Sequence, residues 1–227
     1  MENDKTDNSE NLEALEKEIR EAVAKGVHTR ETVRRLTLNA MNAQHIDLAS
    51  LQRIVAAIMH GIHDGAEEQI QRVISQTQTA KTQINEAVTG LDSALAGFAQ
   101  ASKLAVEEAA SQAKKFSENE LTRTHSELES LESLFLDTLH DTASAAQGLV
   151  ADILHDVIRH AKNNGTAVGL QLVETLGTFK HQIASIGHAQ LESSATLANA
   201  TAELIGKVAG GVLSGINEQV GNSKHKP

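Results

Sequence analysis

Apolar residues recur along most of the chain at steps of three and four, the spacing of one face of an α-helix. In the first 65 residues the pattern forms three short runs, and the first of them ends at Gly26, a residue type that commonly terminates helices. Residues 1–10 are polar and acidic, so a disordered tail is predicted there. The apolar positions of the three runs are Leu12, Leu15, Ile19, Val23, then Val33, Leu36, Ala40, Met41, and then Leu48, Leu51, Ile54, Val55, Ile58, Met59 and Ile62.

Polar residues suited to begin helices stand before the second and third runs. Thr29 and Asp47 can each accept a hydrogen bond from an unpaired amide of a first helical turn. Gly61 and Gly65 are expected to weaken the third helix near a boundary, because glycine is a poor helix former. Residues 11–65 are therefore predicted to form a small unit of short helices.

From residue 66 the pattern changes to three long segments, 66–117, 118–163 and 166–220, each with one apolar stripe. The four phenylalanines all lie on these stripes, at Phe98, Phe116, Phe135 and Phe179. An amphipathic helix cannot bury its own stripe, so the three stripes are expected to face one another. The predicted fold is all-α: a long antiparallel three-helix bundle over residues 66–221, elongated and coiled-coil-like, with the short-helix unit before it and a disordered tail over 222–227.

Turn signals separate the long segments. Ser117 and Glu120 have the spacing of a capping box, and Asn163-Asn164-Gly165 contains residues that tolerate left-handed backbone. Thr166 is placed to cap the last helix. If the long helices are interrupted, the expected positions are Gly90, Gly97 and Gly148.

Composition supports a helical protein. The chain has 32 alanines, no proline before Pro227, four phenylalanines, and no tyrosine or tryptophan, which argues against a β-sandwich or barrel. It has no cysteine, so disulfides and thiolate chemistry are excluded. No secretory signal and no apolar run long enough to span a bilayer is apparent, and a cytoplasmic location is predicted.

Charge narrows the choice of partners. The formal net charge is −10, which disfavours nucleic acid and anionic lipid. Arg30, Arg34 and Arg35 are the densest basic spot, but residues 1–65 have 8 bases and 11 acids, net −3. Residues 118–165 have 3 bases and 9 acids, net −6, whereas residues 166–227 have 4 of each and are net neutral.

Eleven histidines raise the question of a metal or catalytic site. Carboxylate-bridged di-metal bundles need Glu-x-x-His pairs on two helices, and the chain has none. The pairs Asp137–His140 and Asp152–His155 share one predicted helix. We therefore interpret the histidines as surface residues of helices, which also holds for His60, His63 and His160.

Sequence motifs for catalysis are missing as well. The chain lacks a nucleophile elbow, a phosphate-binding loop and a dinucleotide fingerprint. We predict a protein that is not an enzyme, with no catalytic residues, cofactor, metal or small-molecule substrate.

The last predicted helix has few charges, which suggests contact with something other than water. The glycines near its end, Gly206, Gly210, Gly211 and Gly215, permit close approach of another surface. A helix covered by the other two is the alternative interpretation. The predicted interaction surface comprises Leu204, Ile205, Val208, Val212 and Ile216.

Residues 94–149 resemble phasins, the alanine-rich helical proteins that coat polyhydroxyalkanoate granules in bacteria. The similarity lies in Ala101-Ser102-Lys103-Leu104-Ala105-Val106-Glu107-Glu108-Ala109-Ala110 and in Leu131-Glu132-Ser133-Leu134-Phe135. The whole chain also resembles an uncharacterised group of proteobacterial all-helical proteins of similar length. Phasins have no catalytic residues, so the resemblance implies none here.

Two functions follow as expectations. The first is a self-associating helical scaffold that forms homo-oligomers. The second is an amphiphilic protein that binds an apolar surface, either a storage granule or neutral lipid.

Overall fold

The structure is a computed structural model that describes residues 2–42, 47–72, 77–111 and 118–189. These residues form eight helices and contain no strand, so the predicted all-α class is confirmed. The helices are α1 (Glu2–Lys25), α2 (Thr29–Asn42), α3 (Leu48–Arg72), α4 (Thr77–Ser111), α5 (Glu118–Glu129), α6 (Leu131–Ala145), α7 (Gly148–Asn164) and α8 (Ala167–Ala189).

Two of the local signals act as predicted at the first turns. Gly26 ends α1 with a φ of 67°, and its amide donates to the Ala22 carbonyl at 3.1 Å. The carboxylate of Asp47 accepts a hydrogen bond from the Ser50 amide at 2.7 Å, which caps α3. Thr29 differs from the prediction: it is the first residue of α2, and its buried hydroxyl donates to the side-chain oxygen of Gln83 on α4.

Helix α1 begins at Glu2, so residues predicted as a disordered tail are helical. Acidic residues are generally favourable in the first turns of a helix, because they complement the helix dipole. No proline or glycine interrupts the chain before Gly26. The tail predicted at residues 222–227 lies outside the described residues.

Gly61 and Gly65 were expected to weaken the third helix near a boundary, but both lie inside α3, which continues to Arg72. They lie against the backbone of α1. A Cβ built on Gly61 would be 2.5 Å from the Glu16 carbonyl oxygen, and one on Gly65 would be 2.5 Å from the Arg20 carbonyl oxygen. These two glycines therefore let the two helices approach more closely than any larger residue would allow.

The segment 118–163 was predicted as one helix, but it forms α5, α6 and α7. Ser130 separates α5 from α6, and its hydroxyl donates to the Ser126 carbonyl at 3.1 Å. Between α6 and α7, Gln147 is extended and Gly148 has a φ of 55°, a conformation that side chains disfavour. Gly148 thus interrupts the helix as anticipated, whereas Gly90 and Gly97 lie within α4.

The other long segments also differ in their bounds. The boundary predicted at residue 65 falls inside α3, and α4 covers much of the segment 66–117. The turn predicted at Asn163-Asn164-Gly165 is present, with Gly165 at a φ of 79° and its amide bonded to the Ala161 carbonyl at 2.8 Å. The capping box at Ser117 and the portion of the last helix beyond Ala189 lie outside the described residues.

Contacts divide the chain into two compact units, each assembled from two separate segments. The first contains Met1–Ala94 and Glu132–Thr166, and the second contains Leu95–Leu131 and Ala167–Pro227. The segment that completes each unit is distant in sequence. Periodicity predicted which residues face inward, but not this grouping.

In the first unit, α1 packs mainly on α3, and α2 contacts both of them, while α7 contacts α3. The core combines the apolar positions of the short runs with residues from α4, α6 and α7. Its fully buried large side chains include Ile19, Met41, Ile54, Ile58, Met59, Ile62, Ile84, Leu91 and Leu139.

In the second unit, the end of α4 combines with α5 and α8, and α5 packs directly on α8. The buried side chains include Leu95, Val106, Leu121, Leu128, Leu131, Val168, Leu172 and Phe179. Three of the four phenylalanines, Phe98, Phe135 and Phe179, are buried in the two units, as their positions on the stripes predicted.

Gly61→Ala is expected to destabilise the protein because the new methyl group would overlap the α1 backbone. Overpacking costs about 1–3 kcal/mol, and alanine's better helix propensity recovers up to about 1 kcal/mol. We expect a net loss of about 1–2 kcal/mol in the free energy of unfolding, measured by urea denaturation.

Gly177→Ala is the matched control on α8. Within one chain a Cβ at Gly177 would have no atom within 4 Å, so in the monomer only the gain in helix propensity applies. Equal destabilisation by both variants would show that close packing on α1 is not the reason for glycine at position 61.

The ion pair between Lys81 and Asp156 gives a second test. The Lys81 ammonium donates to the Asp156 carboxylate at 3.1 Å and holds the pKa of that carboxyl below its usual value, with a smaller contribution from Arg159 at 3.0 Å. The pair therefore stabilises the fold above the ordinary aspartate pKa, and the effect is lost as the pH falls through the lowered pKa. The contribution is small because both side chains are about two-fifths exposed (43% and 42%).

Lys81→Met is expected to raise the pKa of Asp156 more than Arg159→Gln does. Carbon-detected NMR titration of the Asp156 carboxyl measures both shifts. A larger rise in the Arg159 variant would contradict the assignment of Lys81 as the main partner.

Candidate interaction surface on helix α8

One side of α8 is anchored in the second unit. Val168, Leu172 and Phe179 are buried, and their spacing of four and seven residues places them on one helix face. Thr175 is also fully buried, and its hydroxyl lies 3.2 Å from the Ala99 carbonyl of α4 and 3.0 Å from the Gln171 carbonyl of α8. These contacts fix which side of α8 faces outward.

A charged contact reinforces this orientation. Lys103 of α4 donates to the Glu174 carboxylate at 3.3 Å. The Lys103 side chain is only 24% exposed, whereas that of Glu174 is 66% exposed. Glu174 therefore keeps much of its carboxylate open to solvent or to a further cation.

The outward side of α8 carries two large apolar side chains. Leu170 is 71% exposed and Val173 is 75% exposed. Within the described part of the chain, the other exposed large apolar residues are Val27 and Leu104, on different elements. Single exposed apolar residues are ordinary on protein surfaces, but Leu170 and Val173 are neighbours three positions apart on one helix.

Small and charged residues surround this pair. Gly177 lies in open space, because a Cβ built on it would meet no atom within 4 Å. We call the outward surface the α8 face. It comprises the exposed residues Leu170, Val173, Glu174, Gly177, Lys180, His181 and Ala184.

The interaction surface predicted from the sequence is in a different part of the chain. Leu204, Ile205, Val208, Val212 and Ile216 all lie outside the described residues. The structure therefore does not test that prediction. It also does not test whether the glycines at 206–215 permit close approach of another surface.

The α8 face does not follow from the single apolar stripe predicted for the last segment. That stripe passes through Leu172, Leu176, Phe179 and Ile183, of which Leu172 and Phe179 are buried. Leu170 and Val173 lie on either side of Leu172 in the sequence. At 3.6 residues per turn, Leu170 and Leu172 point about 160° apart with Val173 between them, so one buried face cannot contain all three. This excess was the available signal.

The predicted histidine clusters lie on helices, and His63 and His155 contact side chains or carbonyls within one helical turn. His63 Nδ1 lies 2.9 Å from Asp64, and His63 Nε2 lies 3.5 Å from Glu67. The exposed His155 instead has Nδ1 2.7 Å from the Ala151 carbonyl. Across the described ranges, no three histidine or carboxylate side chains are grouped so that they could hold a metal ion.

The remaining predicted clusters are also engaged locally. His60, His140 and His160 are exposed, and the Asn164 amide lies 3.1 Å from His160 Nδ1. Asp156, adjacent to His155, is paired with Lys81 and Arg159. None of these arrangements places an activated nucleophile beside a base, as nucleophilic catalysis requires.

Helix hydropathy adds one further observation. Among the residues that the structure describes, no helix combines the length and the apolar character needed to cross a bilayer.

A protein-family profile matches residues 5–222, nearly the whole chain. The chain belongs to DUF6781, a family of unknown function. This match confirms the expected relation to an uncharacterised family, and it brings no activity or partner with it. No curated protein and no solved structure matches the chain.

The two sides of α8 are expected to respond differently to truncation. Leu172→Ala removes a buried side chain and should cost about 2–5 kcal/mol. Leu170→Ala and Val173→Ala remove exposed side chains and should change the free energy of unfolding by no more than about 0.5 kcal/mol. Chemical denaturation of the three variants measures the difference. Comparable losses at positions 170 and 172 that do not depend on protein concentration would show that the α8 face is covered in the folded monomer.

Proposed function

We propose that the protein is a self-associating helical scaffold that forms homo-oligomers and has no enzymatic activity. On the sequence grounds given above, we also propose that it acts in the cytoplasm. The observation that carries the proposal is the adjacent pair Leu170 and Val173, both more than two-thirds exposed on a helix that is otherwise well anchored.

Exposure of this kind is unfavourable unless a partner covers it. Burying apolar surface stabilises an interface by about 25 cal/mol per Å². Where the structure describes the chain, the other large apolar side chains lie mostly inside the two units, so the α8 face is not explained by a general lack of core. A partner surface that contacts both residues would remove them from water.

The family match and the chemistry of the described residues are compatible with a role that needs no catalysis. DUF6781 has no assigned activity. His63 lies beside Asp64 and Glu67, and Asp156 is paired with Lys81 and Arg159. The proposal that the protein is not an enzyme rests on these local pairings together with the missing sequence motifs.

The residues beyond Ala189 extend the same idea. Leu204, Ile205, Val208, Val212 and Ile216 form a stripe in a stretch with few charges, and we propose that they contribute to association. These residues are different from those of the α8 face, so variants of each set can be tested separately.

The alternative function is binding to an apolar surface, such as a storage granule or neutral lipid. The exposed apolar pair on α8 and the net neutral charge of residues 166–227 favour it, as does the phasin-like stretch at residues 94–149. Flotation of the protein with neutral liposomes or polymer granules separates this function from scaffolding. Flotation by a protein that stays monomeric in solution would replace the scaffold proposal with this one.

Light scattering over a concentration series tests self-association directly. We expect the wild-type protein to exceed the mass of one chain, 24.2 kDa. Val212→Asp and Ile216→Asp are expected to lower the mass more than they lower the melting temperature. Leu139→Asp is the control, because Leu139 is fully buried in α6 and an unpaired charge there should unfold the protein.

Three outcomes are informative. A monomeric wild-type protein at all concentrations would refute the scaffold proposal. If Val212→Asp and Ile216→Asp lower the melting temperature as much as Leu139→Asp does, Val212 and Ile216 belong to a core. If Val212→Asp and Ile216→Asp change neither the mass in solution nor the melting temperature, these two residues are not part of the interface.

A further inference from the structure

The α8 face has a charge pattern that is complementary to itself. Glu174 lies three residues before Gly177, and Lys180 lies three residues after it. At 3.6 residues per turn these two side chains point about 60° to either side of Gly177, while Val173 and His181 lie about 40° from it on opposite sides. Acidic and basic groups therefore occupy opposite ends of one face.

We propose that the α8 face binds the α8 face of a second copy in antiparallel orientation, with the two Gly177 residues opposite each other. This inference rests on the proposed self-association and assigns it a surface, an orientation and a register. In this register, Glu174 is level with Lys180 of the second copy and one position from its His181. Val173 is level with His181, and Leu170 is level with Ala184.

Charge decides between the two orientations. In the antiparallel pair, each Glu174 carboxylate lies beside basic side chains of the other copy, twice by symmetry. In a parallel pair in register, Glu174 would lie beside Glu174 and Lys180 beside Lys180, which is repulsive at both places. Electrostatic complementarity of this kind fixes orientation and register.

Gly177 permits the close approach that such a pair needs. It is exposed and has open space around it, so the backbone of another helix can reach it. The same chain already uses glycine in this way, since Gly61 and Gly65 of α3 meet the carbonyl oxygens of α1. On either side of this contact, Leu170 and Val173 would be covered by the second helix.

The internal partner of Glu174 does not block this contact. Lys103 approaches the carboxylate at 3.3 Å from the side of α4, and the Glu174 side chain remains 66% exposed. A carboxylate has two oxygens and can accept from several donors. Lys103 therefore orients Glu174 and leaves acceptor positions open to Lys180 or His181 of the second copy.

Cysteine cross-linking tests the register, because the chain contains no cysteine of its own. Gly177→Cys places two sulfurs at the symmetry axis, so mild oxidation should convert most of the protein to a covalent dimer. Val173→Cys and His181→Cys should cross-link when the two variants are mixed and several-fold less when each is alone. Alone, equivalent positions are offset by eight residues, about 12 Å along the helix, which exceeds disulfide reach.

The outcomes separate this inference from the proposed function. Efficient cross-linking of Val173→Cys alone would show a parallel pair and overturn the inference. An oligomeric wild-type protein in which neither Gly177→Cys nor the mixed Val173→Cys and His181→Cys variants form a covalent dimer would also overturn it. The α8 face would then be left to another occupant, such as residues 190–227 of its own chain. A monomeric wild-type protein would refute the proposed function itself.

Charge reversal provides an independent test on the full chain. Glu174→Lys and Lys180→Glu should each raise the dissociation constant about tenfold or more, and an equimolar mixture of the two should restore association. Lys162→Glu is the matched control, since it makes the same charge change at an exposed site on α7. An equal effect from Lys162→Glu, or no recovery on mixing, would overturn the proposed pairing.

Discussion

The contact between α1 and α3 is the constraint on which the first unit depends. Gly61 and Gly65 stand where any side chain would strike the α1 backbone, so the two helices meet nearly backbone to backbone. Such proximity brings Ile19 and Val23 of α1 into full burial against α3. Gly90 of α4 makes an equivalent approach to the Arg30 carbonyl of α2. The chain has few aromatic side chains. Many short contacts between closely spaced helices therefore provide the packing that a few large side chains would otherwise provide.

How much of this could be predicted from the sequence depends on the range of the interaction. Local features were predictable, because Asp47 and Gly26 act through bonds within a single turn. Inward-facing positions such as Ile58 and Leu139 followed from periodicity alone. The role of Gly61 did not follow from the sequence. A glycine can mark a weak point of a helix or a close contact with another helix, and the sequence does not distinguish the two. The two-segment units depend on which stripes meet, and a periodic pattern carries no information about its partner.

The same limit explains the candidate surface. The single stripe predicted on the last segment includes the buried residues Leu172 and Phe179. It leaves out the exposed residues Leu170 and Val173, which do not fit its spacing. Residues that exceed what one helix face can bury are informative for that reason. The stripe predicted at residues 204–216 consists of other residues than the α8 face and lies outside the described part of the chain.

The division of each unit between two distant segments affects the order in which the protein can fold during synthesis. Helices α1, α2 and α3 contact one another and are complete once residue 72 has been made. The first unit still lacks α6 and α7 until residue 166 emerges, and the second lacks α8 until later. The stretch 95–131 is therefore translated well before the partner that buries it. During that interval the apolar side of α5 is exposed, and we expect this period to be the one in which the nascent chain is most prone to aggregation.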